Sequence, residues 1–364
     1  ERRDRIEKQV AAWVGRSSRT SDPIGLQGVS RTLGELFRDF GLHDVEALSD
    51  PRSVRVWETE SGLEGGTLLV AHADVPLGDS VAAQPFRRGP EWLHGEGIGS
   101  SRAPLSTLEF TLRALRNVRA LRRSRLGVLC YFDEGRDAQY SRALVARAMG
   151  AASRVLVLRP GGVENTFFVE RRGLRKLRLE VEGEPQRIGR AGRKPAALPW
   201  LAARLAEMTD VGSKKSRLAV QVGGLSTRAF PMRVPHAAVA ELLVSYASPG
   251  DAESAETHLR ETLGKRGPRW RLETLSDRPP LVASAESRAV ADSLLALAKE
   301  LEMPLKAEGS TWPSVAGLAP AGVATLCGLA PVAQALNTPD EAVARLSLVQ
   351  RTLLVARLLQ GEGA

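Results

Sequence analysis

The sequence predicts an α/β protein with an open, mostly parallel sheet flanked by helices and an inserted ferredoxin-like βαββαβ domain. Up to about residue 173, apolar runs rich in β-branched residues alternate with helical patterns, as in an open α/β sheet. From about residue 174 the order changes to strand, helix, strand, strand, helix, strand. A chain of 364 residues exceeds one hydrophobic core. We therefore expect two domains, residues 1–173 with 279–364 and the inserted residues 174–278.

The elements follow from local patterns. Continuous apolar runs with a polar exit predict buried strands at 66–71, 127–132 and 154–158. Between them, apolar residues recur at helical spacing and predict the buried face of a helix: Leu108, Leu112, Leu115, Val118 and Leu121. The inserted domain has predicted strands at 174–181, 217–222, 239–246 and 270–274, and predicted helices at 196–208 and 252–263. After Arg278-Pro279-Pro280, the pattern predicts a helix at 286–301, a strand at 323–327 and a long helix at about 340–359.

Composition excludes several classes of protein. No run reaches the about 18 apolar residues of a membrane span. The two cysteines, Cys130 and Cys327, lie in apolar runs, where free cysteine behaves as a small hydrophobe. They form no disulfide framework, so we expect a reducing, cytoplasmic location. The first residue is Glu1, which leaves a removed leader open.

The net charge of +9 comes partly from a basic stripe on the predicted helix and the residues after it. The stripe consists of Arg113, Arg116, Arg119, Arg122, Arg123 and Arg125. Such a stripe can recruit nucleic acid or an acidic partner. Aromatic residues make up only 5%, and no nucleic-acid-binding motif accompanies the arginines. We therefore expect a solvated helix face rather than a nucleic-acid surface, with a basic module for an acidic partner as an alternative.

Short segments with polar residues follow the predicted strands of the first domain. His72-Ala73-Asp74 ends the first apolar run, and a glycine-rich loop follows at 95–99. Asp133-Glu134 and Arg159-Pro160 follow the next two runs. Because the carboxyl ends of parallel strands meet at one edge, these side chains are expected to lie together. A histidine with a carboxylate to orient its ring is typical of a metal site.

This order resembles the zinc-dependent aminoacylase and carboxypeptidase family of dimetal exopeptidases and deacylases. Glutamate carboxypeptidase, acetylornithine deacetylase and succinyl-diaminopimelate desuccinylase belong to that family. The resemblance covers nearly the whole chain and implies a zinc-exopeptidase-like fold. It also identifies residues 174–278 as a lid and dimerisation domain, which implies a homodimer. In such enzymes two zinc ions about 3.5–4 Å apart clamp the attacking water and the scissile carbonyl.

The resemblance implies five positions for metal ligands, and this chain keeps a ligand at one of them. His72 is present, with Asp74 to orient it. The bridging aspartate of the pattern Gly-x-Gly-x-x-Asp-x-Lys is replaced by Ser100, and the lysine by Arg102. In the phrase Asp-Glu-Glu, the general base survives as Glu134, but the ligand after it is a glycine.

The remaining family positions are also changed. Arg159 stands where an acidic ligand precedes proline, and Asn337 stands where the last histidine is expected. Arg187 takes the position of a histidine that stabilises the oxyanion. Serine and asparagine are poor zinc ligands, and arginine repels a cation. We therefore expect no metal and no cofactor.

The sequence thus favours a metal-free, catalytically silent homologue that acts by binding or as a scaffold, with His72, Asp74 and Glu134 as catalytic remnants. Arg159 is expected to pair with Glu134, Asp74 or both. One alternative is a rewired or metal-independent amide or peptide hydrolase that uses Glu134 and His72. Another is a cleft for an anionic or peptide-like ligand, formed by Arg102, Arg159 and Arg187.

Overall fold

The computed structural model describes residues 2–189, 195–209, 218–228 and 231–361. The chain divides into two compact units. The first unit contains residues 1–170, 283–309 and 318–364, and the second contains residues 171–282 and 310–317.

Eight α-helices and nineteen strands are formed within the described residues. The helices are α1 Arg2–Val14, α2 Pro23–Asp39, α3 Ala103–Asn117, α4 Arg142–Ala151, α5 Ala197–Thr209, α6 Pro249–Leu263, α7 Ala285–Glu300 and α8 Arg345–Gln360. The first nine strands are β1 His43–Asp44, β2 Val54–Glu58, β3 Thr67–His72, β4 Arg87–Arg88, β5 Trp92–His94, β6 Leu126–Tyr131, β7 Arg154–Val157, β8 Pro160–Gly161 and β9 Thr166–Arg171. The later strands are β10 Gly173–Glu182, β11 Gln186–Arg187, β12 Leu218–Arg228, β13 Arg233–Val234, β14 Ala237–Tyr246, β15 Arg269–Arg278, β16 Lys306–Ser310, β17 Ala324–Cys327, β18 Ala330–Gln334 and β19 Ala342–Ala344.

The first unit is built on an eight-stranded sheet in the order β1-β2-β6-β3-β7-β17-β9-β16. Its central strands β6, β3, β7 and β17 pair in parallel, and antiparallel pairs flank them. Every residue of β3, β6 and β7 is buried, which explains their continuous apolar runs. This mixed sheet with its helices confirms the predicted fold class. It also brings the carboxyl ends of β3, β6 and β7 to one edge.

Helix α3 packs on this sheet through the predicted apolar face, with one exception. Leu108, Leu112, Leu115 and Leu121 are buried, but the side chain of Val118 is 56% exposed. The prediction for Val118 was wrong because the helix ends at Asn117 and the chain leaves the helical period. The basic stripe that follows is exposed, as expected for a solvated face.

The last helix was predicted to begin at about residue 340, and that start was wrong. Residues Ala342–Ala344 form β19, which pairs with β18 and β5 in a smaller sheet. Helix α8 begins only at Arg345. The apolar residues of β19 fit either period, and here pairing with neighbouring strands determines the structure.

The second unit has the βαββαβ order predicted for it. Its four antiparallel strands lie in the order β12-β14-β10-β15, which is the ferredoxin-like arrangement. Apolar residues of α5 and α6 cover one face of this sheet and form a separate core, which includes Leu179, Leu201, Leu242 and Leu259.

Within the described residues, no helix combines the length and the apolar character needed to cross a membrane.

Candidate functional site at the carboxyl edge of the large sheet

Three neighbouring parallel strands deliver the candidate residues of the first unit. His72 is the last residue of β3, Glu134 follows β6, and Arg159 follows β7. His72 is 1% exposed, Glu134 is 9% exposed and Arg159 is 6% exposed. The sheet therefore places a histidine, a carboxylate and a guanidinium in a buried environment at one edge.

Glu134 and Arg159 form a buried ion pair. Arg159 Nη1 donates a hydrogen bond to Glu134 Oε1. The hydroxyl of Tyr131 donates to Glu134 Oε2 at 2.8 Å. Burial alone would lower the pKa of Arg159, but the adjacent carboxylate of Glu134 raises that pKa above its usual value. The expected pairing of Arg159 with Glu134 is thus present, and Arg159 stays charged.

Asp74 has different partners. Its carboxylate accepts hydrogen bonds from the backbone N–H groups of Glu134 at 3.1 Å and Gly135 at 3.0 Å. The hydroxyl of Thr20 donates to it at 2.6 Å. These neutral donors satisfy the carboxylate of the fully buried Asp74, and the guanidinium of Arg102 lies close enough to interact with its charge. The expectation that Arg159 pairs with Glu134, Asp74 or both is met through Glu134.

Gly135 holds the loop close to Asp74. A Cβ atom added at Gly135 would lie 2.3 Å from Thr20 Oγ1, the atom that binds Asp74. A side chain at position 135 therefore requires Thr20 to move. At this position the loop supplies a backbone N–H group to Asp74.

His72 is oriented by its neighbour Asp74. Its Nδ1 lies 3.0 Å from the backbone oxygen and 3.3 Å from Oδ1 of Asp74. Both are acceptors, so this pattern assigns the ring proton to Nδ1 and leaves a lone pair on Nε2. His72 Nε2 is buried and has no hydrogen-bond partner among the described residues.

The glycine loop is fixed by Glu341, a residue whose role the sequence did not reveal. Gly97 adopts a left-handed conformation with φ 62°, and a π-helical turn Ile98–Arg102 leads into α3. The N–H groups of Gly99 and Ser100 donate to Glu341 Oε1, and the N–H of Asn337 donates to Oε2 at 3.0 Å. Burial raises the pKa of Glu341, although these N–H groups act in the opposite direction. The signal for this clamp was the retained phrase Thr338-Pro339-Asp340-Glu341.

Ser100 and Arg102 lie on this turn and are both buried. The hydroxyl of Ser100 lies beside the carboxylate of Glu341, and its hydrogen bond opposes the rise in the pKa of Glu341. Arg102 donates to the backbone oxygens of Arg16 at 2.9 Å and Ala73 at 3.4 Å. Burial lowers the pKa of Arg102 to about 10. Arg102 thus ties two loops together through their carbonyl groups.

Asn337 and Arg187 belong to different units. Asn337, in the first unit, is half-buried with φ 61°, and its Oδ1 is buried without a partner in the described part of the chain. Arg187 is exposed on β11 in the second unit. Because Arg102 and Arg159 donate to separate partners, their contacts do not support the anion pocket expected from the sequence.

The residues present do not fit a zinc pair. Within residues 2–189, 195–209, 218–228 and 231–361, no group of three or more His, Cys, Asp or Glu side chains could hold a metal ion. The oxygens of Asp74 and Glu134 already accept the hydrogen bonds described above. Arg159 adds a positive charge beside them. In this group of described side chains, the Nε2 of His72 is without a hydrogen-bond partner, whereas a zinc site needs three or four ligands.

No protein-family model matches the chain, and no curated protein matches it in sequence. Solved structures do match its fold. A tripeptidase from Staphylococcus aureus subsp. aureus Mu50 has a TM-score of 0.78 at 15% identity, covering 99% of this chain and 98% of its own. Human carnosine dipeptidase 1 has a TM-score of 0.75 at 12% identity, covering 99% and 96%. The YXEP protein of Bacillus subtilis, described as a dinuclear metal binding peptidase from the M20 family, has a TM-score of 0.72 at 10% identity, covering 99% and 98%. At these identities the likeness establishes a shared fold.

Proposed function

We propose that this protein is a metal-free, catalytically silent homologue of the dimetal exopeptidases and deacylases that acts by binding or as a scaffold. The observation that carries the proposal is the buried ion pair of Arg159 with Glu134. In the resembling enzymes an acidic ligand stands at the position of Arg159, and the residue at the position of Glu134 is the general base. In this chain the guanidinium of Arg159 stands at the position of the acidic ligand and neutralises the charge of Glu134.

The proposal follows from the chemistry of the two carboxylates. A general base must accept a proton from water, and its efficiency depends on a pKa near the working pH. The carboxylate of Glu134 receives hydrogen bonds at both oxygens, from Arg159 and Tyr131. Both oxygens of the group that would act as the base are therefore engaged in hydrogen bonds. No bound metal ion is expected to lower the pKa of an attacking water, because the donor set is depleted.

The fold supports a peptide-like ligand as the partner class. The similar structures carry the names tripeptidase, dipeptidase and peptidase. Fold alone does not transfer an activity, so the substrates of those proteins are not assigned to this chain. We infer only that a shared architecture retains a place for a small peptide-like molecule.

A second candidate function is a metal-independent hydrolase, which the free Nε2 of His72 favours. That atom is oriented by Asp74 and could accept a proton. Against it, the hydroxyl of Ser101 contacts the backbone oxygen of His72 rather than its ring. Within the described residues no hydrogen bond joins a serine hydroxyl to the ring, so a nucleophile–base pair of the usual kind is not assembled there.

The experiment that tests the proposal is a hydrolysis screen. Dipeptides, tripeptides and N-acyl amino acids are incubated with the protein in chelator, and again with zinc, manganese or cobalt. We expect no turnover above that of buffer under any condition. Turnover that is lost in Glu134→Gln, but retained in the surface control Glu164→Gln, would overturn the proposal. Glu164 suits this control because it is exposed and pairs only with Lys306 at the surface.

A further inference from the structure

Three segments of the first unit line a cavity with a volume of about 310 Å³. Thr20 and Ser21 come from the segment before α2, residues 76–79 follow β3, and Gly135 and Arg136 follow β6. Pockets that bind small molecules have volumes of about 300–1,000 Å³. This cavity is therefore large enough for one small ligand.

Asp74 lies between the wall of this cavity and the ring of His72. Its Oδ1 atom is 3.3 Å from His72 Nδ1 and accepts a hydrogen bond from the N–H of Glu134 at 3.1 Å. Its Oδ2 atom accepts hydrogen bonds from the Thr20 hydroxyl at 2.6 Å and the Gly135 N–H at 3.0 Å. Thr20 and Gly135 line the cavity, so the cavity adjoins the oxygen of Asp74 that His72 does not contact. It is a second site, separate from the remnant catalytic residues.

Two exposed side chains of opposite charge line the cavity, Asp79 and Arg136. Asp79 accepts a hydrogen bond from the hydroxyl of Ser21. The guanidinium of Arg136 lies 5.8 Å from the centre of the Tyr140 ring and forms no hydrogen bond or ion pair with the described residues. Asp79 and Arg136 thus do not pair with each other, and both charges are available to a ligand.

The charges beside Asp79 leave this part of the wall negative. Arg19 forms an ion pair with Glu96 at 2.6 Å, and it also donates to the backbone oxygen of Gly78 at 3.1 Å. The hydrogen bond to Glu96 raises the pKa of Arg19 most, and the charge of Asp79 raises it further. Two carboxylates therefore share one guanidinium, which leaves a negative charge in excess at this part of the wall.

The remaining wall is small or apolar. Pro76 and Leu77 have no polar side-chain atoms, and Leu77 is 7% exposed. Gly78 and Gly135 have no side chains, and an added Cβ atom at Gly135 would lie 3.1 Å from the Cβ atom of Pro76. The cavity thus combines an anion, a cation and an apolar surface.

We propose that this cavity binds a free amino acid, whose ammonium group contacts Asp79 and whose carboxylate contacts Arg136. The guanidinium fork suits a bidentate contact with a carboxylate, and an ammonium group has three donors for Asp79. A ligand with a single charge would leave either Asp79 or Arg136 without a partner, whereas a zwitterion matches both. Pro76 and Leu77 are then available to an uncharged side chain of the ligand.

The first experiment screens the standard amino acids by thermal denaturation of the whole chain in chelator, and the best one is titrated by calorimetry. We expect at least one amino acid with an uncharged side chain to raise the Tm and to bind at one equivalent per chain. Its amide lacks the carboxylate and its N-acetyl derivative lacks the ammonium group, so each should bind at least about tenfold more weakly.

Two results of this experiment would overturn the proposal. One is that no amino acid at about 10 mM raises the Tm, because that concentration is about ten times the Kd of a millimolar site. The other is that the amide or the N-acetyl derivative binds as tightly as the amino acid itself.

The second experiment uses variants of the two charged residues. Asp79→Asn and Arg136→Gln nearly keep the size of the side chain and remove its charge, and both positions are exposed. Each variant should weaken binding of the amino acid at least about tenfold. Asp292→Asn and Arg123→Gln are the matched controls, because both residues are exposed and lie outside the cavity wall. Binding as tight as that of the parent in Asp79→Asn or Arg136→Gln would contradict the site.

The variant Glu134→Gln separates this inference from the proposed function. Glu134 is not part of the cavity wall, so this variant should bind the amino acid as the parent does. Binding that is lost in Glu134→Gln and kept in Asp79→Asn would place the amino acid at the remnant catalytic residues and overturn this inference. Hydrolytic turnover by a protein that still binds the amino acid through Asp79 and Arg136 would contradict the proposed function alone.

Discussion

At the scale of single residues, two buried carboxylates have been stabilised in different ways. Glu134 has a guanidinium and a phenol as partners, whereas Asp74 has two backbone N–H groups and a hydroxyl. Buried carboxylates without such partners would repel one another and carry a desolvation cost. The importance of Arg159 to stability follows from this arrangement.

We predict that Arg159→Ala lowers the free energy of unfolding by about 2–4 kcal/mol, because it leaves the carboxylate of Glu134 buried beside no cation. Arg159→Glu should also destabilise, since it adds a carboxylate without a metal. Urea denaturation measures both. Arg122→Ala is the matched control, because Arg122 pairs with Glu60 on the surface, and its stability should stay close to that of the parent. An Arg159→Ala protein as stable as the parent would rule out this role.

A second residue-scale prediction concerns Glu109 of α3. Burial raises the pKa of Glu109, and hydrogen bonds from Arg113 only partly oppose this. Because the native state then binds the proton more tightly than the unfolded state, stability is higher at acidic pH. It falls as the pH rises from the usual carboxyl range through the raised pKa.

Glu109→Gln should remove this part of the pH dependence and should be more stable than the parent at neutral pH. Denaturation at a series of pH values measures the difference between the two proteins. A constant difference across pH 4 to pH 8 would contradict the assignment to Glu109.

How far the site could be predicted differs from residue to residue. The contact of Arg159 with Glu134 follows from side-chain chemistry at the ends of β6 and β7, the two parallel strands that flank β3, and the sequence carries the residue types and the strand ends. The partners of Asp74 could not be foreseen, because they depend on the backbone path of Glu134 and Gly135. The same holds for Arg102, which donates to carbonyl groups 29 and 86 positions away in the chain.

At the scale of elements, the loop before α3 is joined to the segment before β19 by Glu341. The carboxylate of Glu341 accepts hydrogen bonds from three backbone N–H groups, those of Gly99 and Ser100 before α3 and that of Asn337 before β19. Carboxylates are favourable at helix N-termini, where the first N–H groups lack partners within the helix. The clamp also places Ser100 and Asn337 side by side.

We predict that Glu341→Ala lowers the free energy of unfolding by at least about 2 kcal/mol, because it leaves buried N–H groups unpaired. Amide hydrogen exchange at Gly99, Ser100 and Asn337 should become faster. Asp340→Ala is the control, since the neighbouring Asp340 is exposed. Unchanged exchange at these three positions would exclude the clamp.

Helices and strands were predictable where the spacing of apolar residues fitted one type of secondary structure only. Fully buried strands such as β3 and β6, and the leucine face of α3, were found from their apolar spacing. The start of α8 was misplaced because Ala342–Ala344 is too short and too apolar to distinguish a strand from a helix turn. Its pairing with β5 is formed between residues about 250 positions apart, which local periodicity does not report.

At the scale of the whole molecule, the second unit has an exposed sheet edge with apolar residues. Strand β12 lies at one edge of the four-stranded sheet. Val222 and Leu225 on this strand are 41% and 51% exposed. An exposed edge strand with apolar residues presents unpaired backbone groups to a partner.

We therefore predict a homodimer formed through the second unit, with twice the chain mass of 39.2 kDa in light scattering. Leu225→Lys should shift the protein toward the monomer. Ile24→Lys, at an exposed apolar residue of α2 in the first unit, should leave the dimer intact. A mass of 39.2 kDa for the parent across a wide concentration range would refute the dimer.

We propose that this chain does not hold the zinc pair of the enzymes it resembles, and the metal content of the purified protein decides this. Protein purified without chelator is analysed by inductively coupled plasma mass spectrometry, and its Tm is measured with and without added zinc, manganese and cobalt. The depleted donor set predicts no stoichiometric metal and no gain in Tm. Two tightly bound metal ions per chain would contradict the claim.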